Sequence, residues 1–582
     1  MEKSKMTKSL AVFASVLLII IIGVASFAYF GTFNVNLNNN VAVNINSSSP
    51  GNATFTSNAT QLNLQVPAAN MSFTVANNTV AAKEDTAFLD VTLTGSQNLL
   101  TTCTYDIVYE YDAGSNVYGQ GTTTKTGDAT KEITIEVNGM NGNNHFATER
   151  NFDHANIQSY YDSTNKYYKL VEGATIKSLG STQSVRWKII GRYYNLDVSQ
   201  AQLGGKNFTG KIYAISKGCS SEDGTTVKKG YETILANNGG AASMTTLTST
   251  DFANVTTASD KGMYKAQDDL GTSYYFRGAV DNNWVKYGKY TKDTYYTYDG
   301  DYYYSLVSSC DGLDNCFKIA SKGDDMYWRI IRVNGDNSIR MIYTGTSAPD
   351  NNTKVIMTES TNNSGYIRAT SAGMSKFNKN YDSAEYVGYM YTIGEQHGTS
   401  KSSDIKTYLE DWYANYTDLN KTGTKIADQI FCNDRSASST QTAAWTSTGA
   451  DYYYGARDRL HTNKKPILTC PTASDKFTVN TSNGNGALTY PVGLITADEV
   501  AMAGGVYDSY PSSYYLYTNQ GYWSGSPDIF NSYFTVAYEF DASSTLYSSS
   551  VDLARGARPV VSLSSESKLL GSGTYNDVYT VS

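Results

Sequence analysis

The chain is short of charge. Asp, Glu, Lys and Arg make up 17% of its 582 residues, where soluble domains average about 25%. It has no long block of like charge, which excludes a polyelectrolyte tail. It has no basic excess either: 46 Lys and Arg against 54 Asp and Glu leave a net charge of -8. That balance disfavours nucleic acid as a partner, because a phosphate backbone rewards a basic face. Histidine is scarce, with four scattered residues. No Cys-x-x-Cys pair accompanies them, so no zinc ligand set can be read. The hydrolase elbow Gly-x-Ser-x-Gly, the Walker loop and His-Glu-x-x-His are all missing. Asp498 and Glu499 form an acidic pair, but Thr496 ahead of them reads as a helix-capping box. The expectation is a protein that is not an enzyme and holds no cofactor or metal.

What fills the space left by charge is Tyr, Ser, Thr, Asn and Gly, with 49 Tyr alone. That mixture favours strands and turns over long helices. One long apolar run stands out. Leu10–Phe30 carries no charge and follows Lys3, Lys5 and Lys8. It is long enough to cross a bilayer core, which takes about 20 apolar residues. The flanking lysines place the N-terminus in the cytoplasm. The expected location is the cell membrane, single-pass, with the bulk of the chain extracellular. A cleaved signal peptide ending near Ser26-Phe27-Ala28 is the alternative. Either way the chain is exported, where cysteines can pair. Cys310–Cys316 reads as a small closed loop and Cys432–Cys470 as a staple. Cys103 and Cys219 are left over as candidate free thiols.

The organisation expected from pattern is as follows. Residues 1–33 form the cytoplasmic tip and anchor. Residues 34–66, rich in Asn and Ser with almost no large apolar group, form a linker. Residues 67–215 alternate as strands, for example TYDIVYEY at 104–111 and EITIEVNG at 132–139. They predict an all-β, Ig-like sandwich. Residues 216–270 are a connector, and 271–565 an α+β domain, followed by a tail at 566–582. In the α+β domain, YWRIIRV-NGDN-SIRMIY predicts a hairpin turning at Asn334-Gly335, with φ > 0 at both. Helices are expected over Ser403–Tyr413, capped by Asp404, and over Thr496–Ala503, ended by Gly504-Gly505.

Five ordered segments of this last domain carry a resemblance: YYFRGAV at 274–280, the hairpin at 327–343, YPVGLITADEVAMAGG at 490–505, YWSGSP at 522–527 and ARPVVSL at 557–563. Together they resemble cell-surface proteins of gut Gram-positive bacteria with a C-terminal C-type-lectin-like module. That module is similar to the formylglycine-generating-enzyme fold and to the variable proteins of diversity-generating retroelements. The resemblance implies an N-terminally anchored protein whose late strands display a ligand face. In such proteins a Trp-Ser turn opens the displayed segment, as at Trp523-Ser524, and an RPV-like strand closes it, as at Arg558-Pro559-Val560.

The implied ligand-binding residues are Trp523, Asp528, Asn531, Tyr533, Tyr538, Asp541, Ser544 and Tyr547. Tyr is a rigid amphipathic contact and Ser and Asn adapt their hydrogen bonds, so the composition suits recognition. Polar strand faces and, for Trp523, a core position are the plain alternatives. The Tyr-rich stretch 287–304, read as a surface loop or inserted hairpin, is a second candidate. The reactive late cysteines of formylglycine-generating enzymes are absent after Cys470. The expected function is adhesion to an unknown protein or glycan ligand on host, phage or neighbouring cells. The competing reading is a structural cell-envelope protein without a specific ligand.

Overall fold

The computed structural model describes residues 41–45, 53–65, 83–95, 98–111, 133–139, 150–152, 157–194, 207–224, 227–298, 304–356, 370–421, 423–511, 513–540 and 545–582. Among the described residues, strands take 45% and helices 13%. The apolar run Leu10–Phe30 lies outside the described residues. Among the described residues, no helix is long and apolar enough to cross a membrane.

The alternating segments pair as expected into two antiparallel sheets. One orders Val41–Ile45, Ala53–Ser57, Lys83–Thr94, Thr182–Tyr193, Ile133–Gly139 and Arg150–Phe152. The other orders Thr60–Gln65, Asn207–Asp223, Leu99–Tyr111, Tyr167–Leu179 and Tyr161–Asp162. Their inward residues share one core, with Leu89, Val91, Trp187 and Ile189 meeting Tyr105, Ile107 and Ile176. The buried Trp187 indole donates to the Tyr105 hydroxyl at 3.0 Å, which removes the cost of an orphaned N–H.

Three expected boundaries move. The linker 34–66 is not all linker: Ala53–Ser57 pairs with Lys83–Thr94 and Thr60–Gln65 with Asn207–Asp223. Phe55, Leu62 and Leu64, spaced two apart within their strands, bury completely or nearly so, and three such side chains are enough to seat two short strands. The connector 216–270 is divided. The sandwich strand runs on to Asp223, while Ile234, Met244 and Met263 pack into the C-terminal core. The tail 566–582 is not loose either: Leu569–Leu570 and Tyr579–Val581 complete a nine-stranded sheet.

Cys103 and Cys219 are not free thiols. They face each other on paired strands, and their disulfide spans 116 residues of sequence. Cys310–Cys316 and Cys432–Cys470 pair as read from spacing. Thiol titration of the unfolded, unreduced chain is therefore expected to find no free cysteine. A free thiol would contradict this pairing.

The nine-stranded sheet holds the expected hairpin, Asp325–Val333 against Ile339–Tyr343. Its turn differs in chemistry from the expectation. The residue with positive φ is Asn337, at 70°, not Asn334 or Gly335. Asn334 instead buries, and its amide donates to Ser338 Oγ at 2.7 Å. Both faces of Asp325–Val333 are covered, because helices and a second sheet pack around it.

The two helices stand where periodicity placed them. Asp404–Asp411 is capped by Ser403, whose hydroxyl accepts the Lys406 N–H, rather than by Asp404. Ala497–Ala503 begins at the Thr496 capping box and ends at Gly504. Thr496→Ala is expected to cost about 1 kcal/mol, read from urea-denaturation midpoints.

The sandwich and the C-terminal domain meet over polar contacts. The buried Lys286 donates to Ser184 O at 2.6 Å, and Gln183 Nε2 donates to Val581 O at 3.2 Å.

Candidate ligand-binding face

The late segment folds into a smaller sheet ordered Met374–Lys376, Ala554–Gly556, Tyr522–Asn531, Thr535–Phe540 and Leu546–Ser550, with Asp451–Tyr453 also on Tyr522–Asn531. YWSGSP is therefore strand, not the turn expected. The register slips between Trp523 and Pro527 and again between Pro527 and Ile529. Such bulges are where a strand tolerates proline, which has no N–H for the ladder. The polar side chains here serve the backbone. Ser524 Oγ donates to Tyr538 O at 2.8 Å, and Ser526 Oγ accepts the Ala497 N–H at 2.9 Å, the first N–H of the capped helix.

Three expected contact residues are core instead. Trp523 is wholly buried, its indole donates to Ser375 O at 3.0 Å, and Phe377 meets it edge-on at 5.8 Å. Asp528 is buried against Arg457 Nη1 at 2.9 Å. Burial pushes its carboxyl up, against the pull of Arg457. Tyr538 is buried with its hydroxyl 2.8 Å from His461 Nε2. His461 stacks on Tyr507 with ring centroids 3.3 Å apart. Burial, with Arg457 and Lys464 nearby, pushes the His461 imidazole down to about 3. It is thus neutral at any ordinary pH and acts as a packed hydrogen-bond partner. These three side chains are covered because their strands lie under the Met374–Phe377 segment and the helical segment 455–462.

The others divide differently. Asp541 and Ser544 lie outside the described residues. Asn531 is half-buried, and its Oδ1 accepts the Tyr533 and Phe534 N–H groups at 3.2 and 2.9 Å. It shapes the four-residue tip between paired Phe530 and Thr535, an Asx turn. Ser532 takes φ 72° there and its hydroxyl donates to Asp451. The tip that results points two rings outward: Tyr533 is 77% exposed and Phe534 42%. Tyr547 is 48% exposed on the strand Leu546–Ser550.

Two further residues join the tip that sequence reasoning did not find. The Thr535 N–H donates to Tyr381 O at 2.7 Å, and Tyr381 is 45% exposed. The Val551 N–H donates to Thr535 O at 3.0 Å, which brings the exposed Leu553 to the same end. No local signal marks Tyr381, because its position depends on the backbone hydrogen bond from Thr535, more than 150 residues away.

The second candidate, 287–304, contains the inserted hairpin: Thr294–Tyr298 pairs with Tyr304–Val307 and with Cys316–Ala320. Residues 299–303 lie outside the described residues. Tyr296 is buried and Tyr298 stacks on Phe317 with centroids 6.2 Å apart. These rings mostly cover one another.

One cavity is lined by Asp268, Asp434, Asp498, Glu499, Arg332, Arg340 and Arg459. It measures about 30 Å³, room for a water or two. Its charges are consumed by each other: Arg459 holds Asp434 and Asp498 at 2.8 and 2.9 Å, and Arg332 and Arg340 hold Glu499 at 3.0 and 2.6 Å. Among the described residues no group of three His, Cys, Asp or Glu is arranged to hold a metal ion.

Arg558 lies inside the domain. It is buried, lies over the Tyr522 ring at 4.7 Å and donates to Tyr343 O at 3.2 Å. With this geometry in place, comparison with known proteins adds nothing: no family model, curated protein or solved structure matches the chain.

Proposed function

We propose that the protein is a membrane-anchored extracellular adhesion protein. In this reading Leu10–Phe30 holds it in the membrane. The Ig-like sandwich carries a C-type-lectin-like domain outward, and the late hairpin binds a protein or glycan ligand. The gene is in this account a candidate target of a diversity-generating retroelement. The observation that carries the proposal is the hairpin tip. Tyr533 and Phe534 stand exposed on a turn, with Tyr381 exposed beside it, and the base of the hairpin is locked by Trp523, Asp528 and Tyr538. Aromatic contacts on a rigid support lose little entropy on binding. Three disulfides in one chain are compatible with an oxidising compartment.

The test applies the full chain to a glycan array and to a panel of immobilised synthetic peptides, with Tyr381→Ala/Tyr533→Ala/Phe534→Ala beside it. Binding that weakens roughly tenfold or more in the variant supports the proposal. The variant's unfolding midpoint is expected to match the parent's, since exposed substitutions stay within about 0.5 kcal/mol each. Absence of any binding that depends on this tip overturns it and leaves the structural envelope reading.

A further inference from the structure

The tip is aromatic, and its rim is acidic. Asp382 follows Tyr381 directly and is exposed. Asp451, also exposed, pairs with Asn531 and accepts from Ser532. Asp552, half-buried, adjoins Leu553 and accepts from Ser550. Lysines also stand nearby: Lys379, whose backbone N–H the Asp404 carboxyl takes, and Lys376, which pairs with Ala554 next to Leu553. The patch therefore presents three carboxylates around exposed tyrosine and phenylalanine rings.

We infer that this patch docks a basic polypeptide segment, rich in arginine or lysine. The inference rests on the ligand-binding reading above and names the class of ligand. Two features of one site converge on it. An aromatic face attracts a guanidinium or ammonium through its quadrupole. A ring of carboxylates steers the same cation and pairs with it at the rim. The -8 net charge of the chain disfavours anionic ligands, acidic glycans and anionic lipid surfaces among them. It also disfavours a second copy of this chain. A neutral sugar would gain the stacking but leave the carboxylate rim without a charged counterpart.

Asp451 and Asp552 accept from Ser532 and Ser550, and Asp→Asn there keeps an acceptor while removing the charge; Asp382 is exposed, and Asp→Asn there removes charge alone. The probe is an arginine–glycine repeat peptide titrated against the full chain at low and at physiological salt. A glutamate–glycine repeat peptide and a neutral glycan array run alongside. The arginine peptide is expected to bind and to weaken as salt rises. Asp382→Asn/Asp451→Asn/Asp552→Asn should weaken it roughly tenfold at low salt. The triple aromatic variant should weaken it by a similar factor, while Tyr547→Ala should not. Binding that ignores both tip variants is general attraction to an acidic protein and overturns the inference. Tip-dependent binding of a neutral glycan, without tip-dependent binding of the arginine peptide, also overturns it but leaves the adhesion proposal standing. No tip-dependent binding of any probe removes both.

Discussion

Trp523→Ala should destabilise the C-terminal domain by about 3–5 kcal/mol, the range for emptying a buried large aromatic. The indole is wholly buried, its N–H is satisfied by Ser375 O at 3.0 Å, and Phe377 packs against its edge. Truncation leaves a cavity beneath the central strand of the late sheet and orphans the Ser375 carbonyl. Trp523→Phe should recover much of the packing while still losing the hydrogen bond. Urea denaturation of the full chain reads both. A Trp523→Ala variant with an unchanged midpoint would mean the side chain is displayed, not buried.

Glu499→Gln should cost a comparable amount, about 3–5 kcal/mol, because breaking a buried ion network strands its remaining charges. Glu499 Oε1 accepts from Arg332 Nε at 3.0 Å and lies 2.6 Å from Arg340 Nε as an ion pair, and its other oxygen takes the Thr496 N–H. Arg332 retains Asp268 at 2.6 Å. Among the described residues Arg340 has no second carboxylate within ion-pair distance, so it bears most of the loss. The same network sets an acid response. Burial raises the Glu499 carboxyl, but Arg340 and Arg332 outweigh it and hold the group below its ordinary value of 4.5. A carboxyl with a lowered folded pKa contributes stability that is present above its unfolded pKa and is lost as pH falls through the folded one. Asp528 and Asp404 carry the opposite sign, since burial raises both, and they soften the acid loss. Unfolding midpoints followed downward from pH 6 should therefore fall more steeply below about pH 4.5 in the parent than in Glu499→Gln. Parallel profiles would show that Glu499 is not held ionised by the two arginines.

The sequence was most readable where one local pattern suffices. Strand alternation in 104–111 and 132–139, the Thr496–Glu499 capping box and the Cys310–Cys316 spacing each specify their own geometry. It was least readable where burial depends on distant cover. Tyr533 and Tyr538 are the same residue type in the same polar stretch, yet one is 77% exposed and the other wholly buried. The difference arises because His461 closes over Tyr538 from a distant segment and Asp528 from the paired strand, which no alternation pattern records. Trp523 failed as a contact for a similar reason: a Trp-Ser-Gly-Ser-Pro run looks like a turn, but the bulges at Pro527 let it continue as a covered strand. The weak apolar content of 53–65 hid two strands because only Phe55, Leu62 and Leu64 were needed to seat them. Tyr381 and the acidic rim were invisible because they come together only when the late hairpin pairs with the chain near 381 and 451.

The account depends on the late segment dividing into a locked core and an exposed tip. Hydroxyl-radical footprinting of the full folded chain tests that division residue by residue. Tyr381, Tyr533 and Phe534 are predicted to be modified readily, while Trp523, the more reactive ring, and Tyr538 stay unmodified until denaturant is added. Ready modification of Trp523 and Tyr538 in the folded chain, or protection of Tyr533, would contradict it.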